Sequence, residues 1–115
     1  MSVTIVYKVD DTIPLTYQIA DWNLDTQGNE PSNLSGKTVT FSMSKDGAFN
    51  WSIADQPCSV VDASDGLIEY AWASGETATP GMYRCVFKVI NGEGKVASYP
   101  EYDVQWLWIV NEASV

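Results

Sequence analysis

Apolar residues recur at every second position over most of the chain. Val3, Ile5, Tyr7 and Val9 form the first such run, and Ile13, Leu15, Tyr17 and Ile19 the second. Val39, Phe41 and Met43 then stand against Thr38, Thr40, Ser42 and Ser44. Ile68, Tyr70 and Trp72 oppose Leu67, Glu69 and Ala71, and Tyr83, Cys85, Phe87 and Val89 oppose Met82, Arg84, Val86 and Lys88. A period of two puts each set on one face of an extended strand, so the pattern predicts an all-β chain with no helix longer than a turn. The last run, VQWLWIV from 104 to 110, is apolar on both faces.

Turn formers punctuate these runs. KDG at 45 to 47, SDG at 64 to 66, TPG at 79 to 81 and NGEG at 91 to 94 supply the Gly, Asn and Asp that accept positive φ in tight connections. Short strands at that spacing predict a sandwich or barrel, with NGEG as the clearest hairpin. The polar stretch from 24 to 36, LDTQGNEPSNLSG, reads as a loop crossing between sheets or as an exposed rim. Pro14 interrupts an otherwise regular run, and since proline donates nothing to a ladder, its strand should be an edge or carry a bulge. No repeat or linker divides residues 1 to 115, a length that suits one domain with a real core.

The segment GMYRC, residues 81 to 85, sharpens the fold. In immunoglobulin-like sandwiches a tyrosine two residues before a core cysteine hydrogen-bonds back across the preceding corner, and Tyr83 and Cys85 fit that placement. The rival reading is a generic hairpin strand. The expectation is an immunoglobulin-like antiparallel β-sandwich of about seven to nine strands, with Phe41, Trp72, Tyr83, Cys85 and Phe87 in the core. An antibody-type disulfide needs its partner cysteine on an early strand, where Phe41 stands instead. Cys58 and Cys85 are therefore expected as reduced thiols at apolar positions.

Composition removes most chemistry. The chain has no histidine, hence no common general base and no Ser-His or Cys-His nucleophile. The two cysteines lack the spacing of a zinc or redox pair, and no glycine-rich phosphate loop is present. Asp62 with Asp65, and Glu101 with Asp103, read as turn and surface acids and not as calcium ligands or a glycosidase pair. No catalytic residue, cofactor or metal is expected. A formal charge of −9 repels phosphate backbones and anionic membrane surfaces, so neither nucleic acid nor membrane is an expected partner. The amino terminus shows no cleavable-signal pattern, and the sequons at Asn33 and Asn50 are expected to stay unmodified.

Five tryptophans remain to be placed: Trp22, Trp51, Trp72, Trp106 and Trp108. Trp72 shares a core face with Ile68 and Tyr70. Trp106 and Trp108 lie on one face of the last strand and Leu107 and Ile109 on the other; one face goes inside and the other is left apolar. Trp is enriched at the centres of protein interfaces, which makes Trp106 and Trp108 the candidate contact residues. Val3 and Ile5, on a terminal strand able to pair with a neighbouring sheet edge, are the second candidates.

Four segments carry a family resemblance: LSGKTVTFSM at 34 to 43, CSVVDASDGLIEYAW at 58 to 72, GETATPGMYRCVFKV at 75 to 89 and GKVASYP at 94 to 100. In order and spacing they resemble the amino-terminal domain family of bacteriophage baseplate upper proteins, an immunoglobulin-like module of tailed-phage virions. Glu76 stands where that pattern usually has aspartate. The resemblance implies a virion part without catalysis, assembled in the host bacterial cytoplasm, whose partners are other phage structural proteins or further copies of itself. Family members often continue into helical or receptor-binding regions, whereas this sequence stops at Val115. Tail, baseplate, head-to-tail junction and capsid surface all stay open as locations. The alternative from another class is a carbohydrate-binding module that stacks tryptophan rings on sugars.

Overall fold

The longest strand, Gly81–Ile90, is the one around which the other elements are arranged. The computed structural model describes residues 4–23, 28–48, 50–100 and 104–110. Their elements are β1 (Ile5–Lys8), β2 (Leu15–Gln18), β3 (Ala20–Asn23), β4 (Gly28–Pro31), β5 (Thr38–Lys45), β6 (Ile53–Pro57), β7 (Ser59–Asp62), β8 (Leu67–Tyr70), β9 (Gly81–Ile90), β10 (Val96–Tyr99) and β11 (Gln105–Val110). β5 pairs one edge of β9 over eight residues, with Phe41 opposite Phe87. β10 and β11 share the other edge, β11 opposite residues 81 to 85 and β10 opposite residues 87 to 90. Between them the chain passes a cis Tyr99–Pro100 bond. With β6 outside β5 and β1 outside β11, these make a six-stranded sheet.

A three-stranded sheet in the order β2-β8-β7 forms the second layer. Ring contacts show that the two layers face each other. Tyr17 of β2 stacks on Phe87 of β9, with centroids 4.2 Å apart and planes 12° from parallel. Phe41 of β5 meets Tyr70 of β8 at 4.7 Å. Offset and tilted geometries of this kind add about 0.5–1.5 kcal/mol each beyond the area they bury. Phe41, Phe87, Ile68, Leu107 and Ile109 are fully excluded from solvent, Tyr83 and Cys85 are buried beside them, and Trp72 packs partly buried against the same cluster. The architecture is all-β.

The ladders differ from the expectation in three ways. β1 runs parallel to β11, Ile5 opposite Leu107 through Lys8 opposite Val110, so the large sheet is mixed. The chain leaves β1 for the other layer instead of folding back beside it, which frees β1 from the reversal a hairpin imposes. The segment expected as a loop from 24 to 36 contains a strand: β4 pairs β3, Ala20 opposite Pro31 and Asp21 opposite Glu30. Alternation is absent there because the ladder is short and polar. Among the described residues eleven strands stand where about seven to nine were expected, since single residues split longer runs. Ile19 separates β2 from β3, and Cys58 separates β6 in the large sheet from β7 in the small one. Cys58 N–H still bonds the Val39 carbonyl at 2.9 Å, so the chain changes layer without leaving a donor unmade. Pro14 immediately precedes β2, an edge strand, as its missing donor requires.

The anticipated corner is present. Tyr83 Oη donates to the Thr79 carbonyl at 2.7 Å. The turn before it is organised by Glu76, whose Oε1 accepts from the Ala73 N–H at 2.7 Å and from Tyr70 Oη at 2.8 Å. A carboxylate is thus used at this position although the residue is not aspartate. In the SDG turn Asp62 Oδ1 accepts from Ser64 Oγ at 2.9 Å and from the Asp65 N–H at 3.3 Å, which lowers the Asp62 pKa, the Ser64 hydroxyl contributing most. Gly66 closes that turn at φ +66°, where an added Cβ would lie 2.3 Å from the Ile19 carbonyl oxygen. The close approach is needed because Gly66 itself accepts from the Ile19 N–H at 2.8 Å.

Candidate protein-binding face

Paired residues on adjacent strands share a face, so the registers identify which side chains leave the core together. Leu107 and Ile109 point between the layers and are fully buried. Trp106 and Trp108 therefore lie on the outer side of β11, Trp108 opposite Val6 in β1 and opposite Met82 in β9. Trp108 is 48% exposed and Val6 57%. Trp106, opposite Arg84, is partly buried, and Met82 is likewise intermediate. The outcome is an apolar strip that crosses three strands on the side of the large sheet that faces away from the second layer.

A third tryptophan joins this side from the connection between β5 and β6. Trp51, 49% exposed, borders a groove of about 350 Å³ together with Arg84, Val86, Ser98, Pro100 and Val104. Further along, Ser42 is buried although it faces outward, because β6 folds over it: its hydroxyl accepts from the Asp55 N–H at 2.9 Å and donates to Asp55 Oδ1 at 3.3 Å. The bulge that allows this puts Asp55 at φ 50° and its carboxylate 3.0 Å from Lys88 Nζ.

Of the residues singled out from the sequence, Trp106 and Trp108 come together on this face. Ile5 takes the opposite parity from Val6 and is partly buried against the core. Val3 lies outside the described residues, as do Glu101 and Asp103. Sequence reasoning passed over Val6, which the alternation places on the far side from Ile5 and Tyr7. It also passed over Trp51 and Arg84, whose proximity depends on how the hairpin after Lys45 folds.

The buried reactive groups are insulated. Burial pushes the thiols of Cys58 and Cys85 up to about 12, and both are free. Burial also raises Tyr83, and raises Tyr70 with help from the Glu76 hydrogen bond and charge. A thiol that stays protonated at neutral pH is a poor nucleophile, so these positions serve packing.

No family model matches the chain, and no curated protein matches it in sequence. Among solved structures it is similar to the N-terminal domain of phage TP901-1 ORF48, with a TM-score of 0.62 at 14% sequence identity over 96% of this chain and 85% of that one. At that identity the likeness establishes a common fold.

Proposed function

We propose that the chain is a non-enzymatic structural part of a tailed-phage virion that attaches to other virion proteins through the outer face of its six-stranded sheet. The observation that carries this reading is the Val6–Trp108–Met82 strip: three apolar side chains in register on a sheet whose other side is already closed by the second layer. A half-exposed tryptophan beside a half-exposed valine has no folding role that demands its position, and tryptophan is the residue most enriched at interface centres. Two further observations support the virion setting: the four sequence segments that resemble the baseplate upper protein domain family, and a fold shared with a phage protein domain. Attachment at the baseplate fits the resemblance best. A stable contact needs about 800 Å² per partner, and the strip and the Trp51 groove would form its centre.

The test is incorporation. Phage particles assembled with Trp108→Ala or with Trp106→Ala and Trp108→Ala are purified, and the protein is quantified by mass spectrometry. The reading expects a folded protein that is lost from the particles, and normal incorporation of the double variant rejects it. The half-exposed Trp51 and Trp108 rings favour one alternative, a sugar-stacking module. That alternative requires tryptophan emission to shift when host-cell polysaccharide is titrated in, whereas the attachment reading expects no change.

A further inference from the structure

The outer strands carry more cations than carboxylates, although the chain as a whole is acidic. Among the described strand residues on this side there are three cations, Lys8, Arg84 and Lys88, and one carboxylate, Asp55; Asp10 and Asp11, in the connection after β1, lie beside Lys8. Among the described strand residues on the outer side of the small sheet, which include Thr16 and Gln18 of β2, Glu69 of β8 and Ser59 of β7, there is no cation. Half of the six basic residues of the whole chain are thus gathered where the tryptophans are. The Lys88 ammonium is engaged by Asp55 at 3.0 Å, while Arg84 is exposed and has no carboxylate partner among the described residues. Its place is central: Trp106 is its cross-strand neighbour in β11, Ser44 its neighbour in β5, and its side chain lines the groove beside Trp51.

We infer that this face recognises an acidic protein segment, apolar side chains of the partner lying on the Trp108–Met82 strip and a partner carboxylate pairing with Arg84 in the groove beside Trp51. The inference rests on the attachment reading and adds the partner's chemistry to it. Guanidinium is the cation best suited to the task, since its planar fork binds a carboxylate through two parallel hydrogen bonds and tolerates an aromatic neighbour. A second copy bound face to face is the wrong occupant. Two-fold symmetry would bring Arg84 toward the Arg84 of its mate with no carboxylate supplied between them, a juxtaposition of like charges that disfavours the pair. Charge complementarity therefore selects a different, carboxylate-bearing surface.

The contrast between an exposed Arg84 and an acidic chain makes the test discriminating. The intact protein is titrated at low ionic strength with acetyl-Leu-Glu-Ile-Glu-Leu-amide and with its lysine counterpart, acetyl-Leu-Lys-Ile-Lys-Leu-amide, and tryptophan emission is followed. Net charge alone favours the lysine peptide; the face favours the glutamate peptide. The expected result is saturable binding at least about threefold tighter for the glutamate peptide, the size of one partly exposed ion pair, with the preference abolished in Arg84→Glu and kept in Arg84→Lys. Tighter binding of the lysine peptide, equal binding, no saturable response to either, or an unchanged preference in Arg84→Glu overturns the inference. So does a face-to-face dimer in sedimentation that Arg84→Glu leaves intact. Incorporation separates the two claims: particles that lose the Trp108→Ala protein but retain Arg84→Glu remove the acidic partner and leave the attachment reading standing, whereas retention of both variants removes both.

Discussion

Val6 stands opposite Trp108 across a parallel ladder, and both side chains face solvent although their strands are part of the largest sheet of the fold. The inner neighbours, Leu107 and Ile109, already fill the space between the layers. Nothing in folding requires the outer pair to be apolar, and the proposed attachment rests on their conjunction.

Tyr83 tests the corner. Replacing it with phenylalanine keeps the ring in the core and removes only the hydroxyl that reaches the Thr79 carbonyl at 2.7 Å. Urea unfolding of Tyr83→Phe should show a loss of about 1 kcal/mol with an unchanged m-value. A loss below about 0.3 kcal/mol would mean that water replaces the bond freely and that the corner does not hold the strand.

Gly66 and Gly36 separate two costs. Both have positive φ, +66° and +72°, but only Gly66 has backbone oxygens where a Cβ would go, at 2.3 Å from Ile19 and 2.8 Å from Ser32. Gly36→Ala should cost about 1 kcal/mol from the left-handed conformation alone. Gly66→Ala should cost at least about 2 kcal/mol, because the ladder around Ile19 must also move. Equal effects in thermal or urea unfolding would contradict the close approach.

The thiols set an alkaline limit. Cys58 and Cys85 are held up to about 12 in the folded protein against about 9 when exposed on unfolding. Above pH 9 the unfolded chain therefore binds fewer protons than the folded one, and stability falls as pH rises toward 12. Tyr70, also raised by burial, acts in the same direction. The midpoint of urea unfolding should be constant from pH 7 to 8.5 and decline beyond it, less steeply in Cys85→Ala. Iodoacetamide at pH 8 should leave both thiols unmodified in the native state and label two once urea is added. A flat midpoint to pH 11, or fewer than two labelled thiols without reductant, would refute the account of these residues.

Much of this architecture is legible in sequence because period-two alternation reports burial directly. Phe41, Met43, Tyr83, Cys85, Phe87 and Val89 alternate with polar or intermediate neighbours, and each ends buried between the layers. The tyrosine corner was readable for a similar reason: its donor and acceptor are four residues apart. The parallel β1–β11 ladder was not readable, since alternation specifies a face and not a partner, and the two strands lie at opposite ends of the chain. β4 escaped because neither of its sides is apolar enough to show a period. On the outer face, Trp106 and Trp108 announced themselves by sharing a strand. Trp51 and Arg84 belong to different strands and connections, and only the fold makes them neighbours.

The central claim, that the outer sheet face is covered in the assembled particle, is tested most directly by oxidative footprinting of the tryptophans with and without the particle. Hydroxyl radicals generated in solution should oxidise Trp108 and Trp51 readily in the isolated protein, since each is about half exposed. The account predicts that oxidation of Trp108 falls at least about fivefold in intact virions, while exposed Val60 and Val61 on the edge strand of the other layer change little. Equal oxidation of Trp108 in free and assembled protein would contradict it.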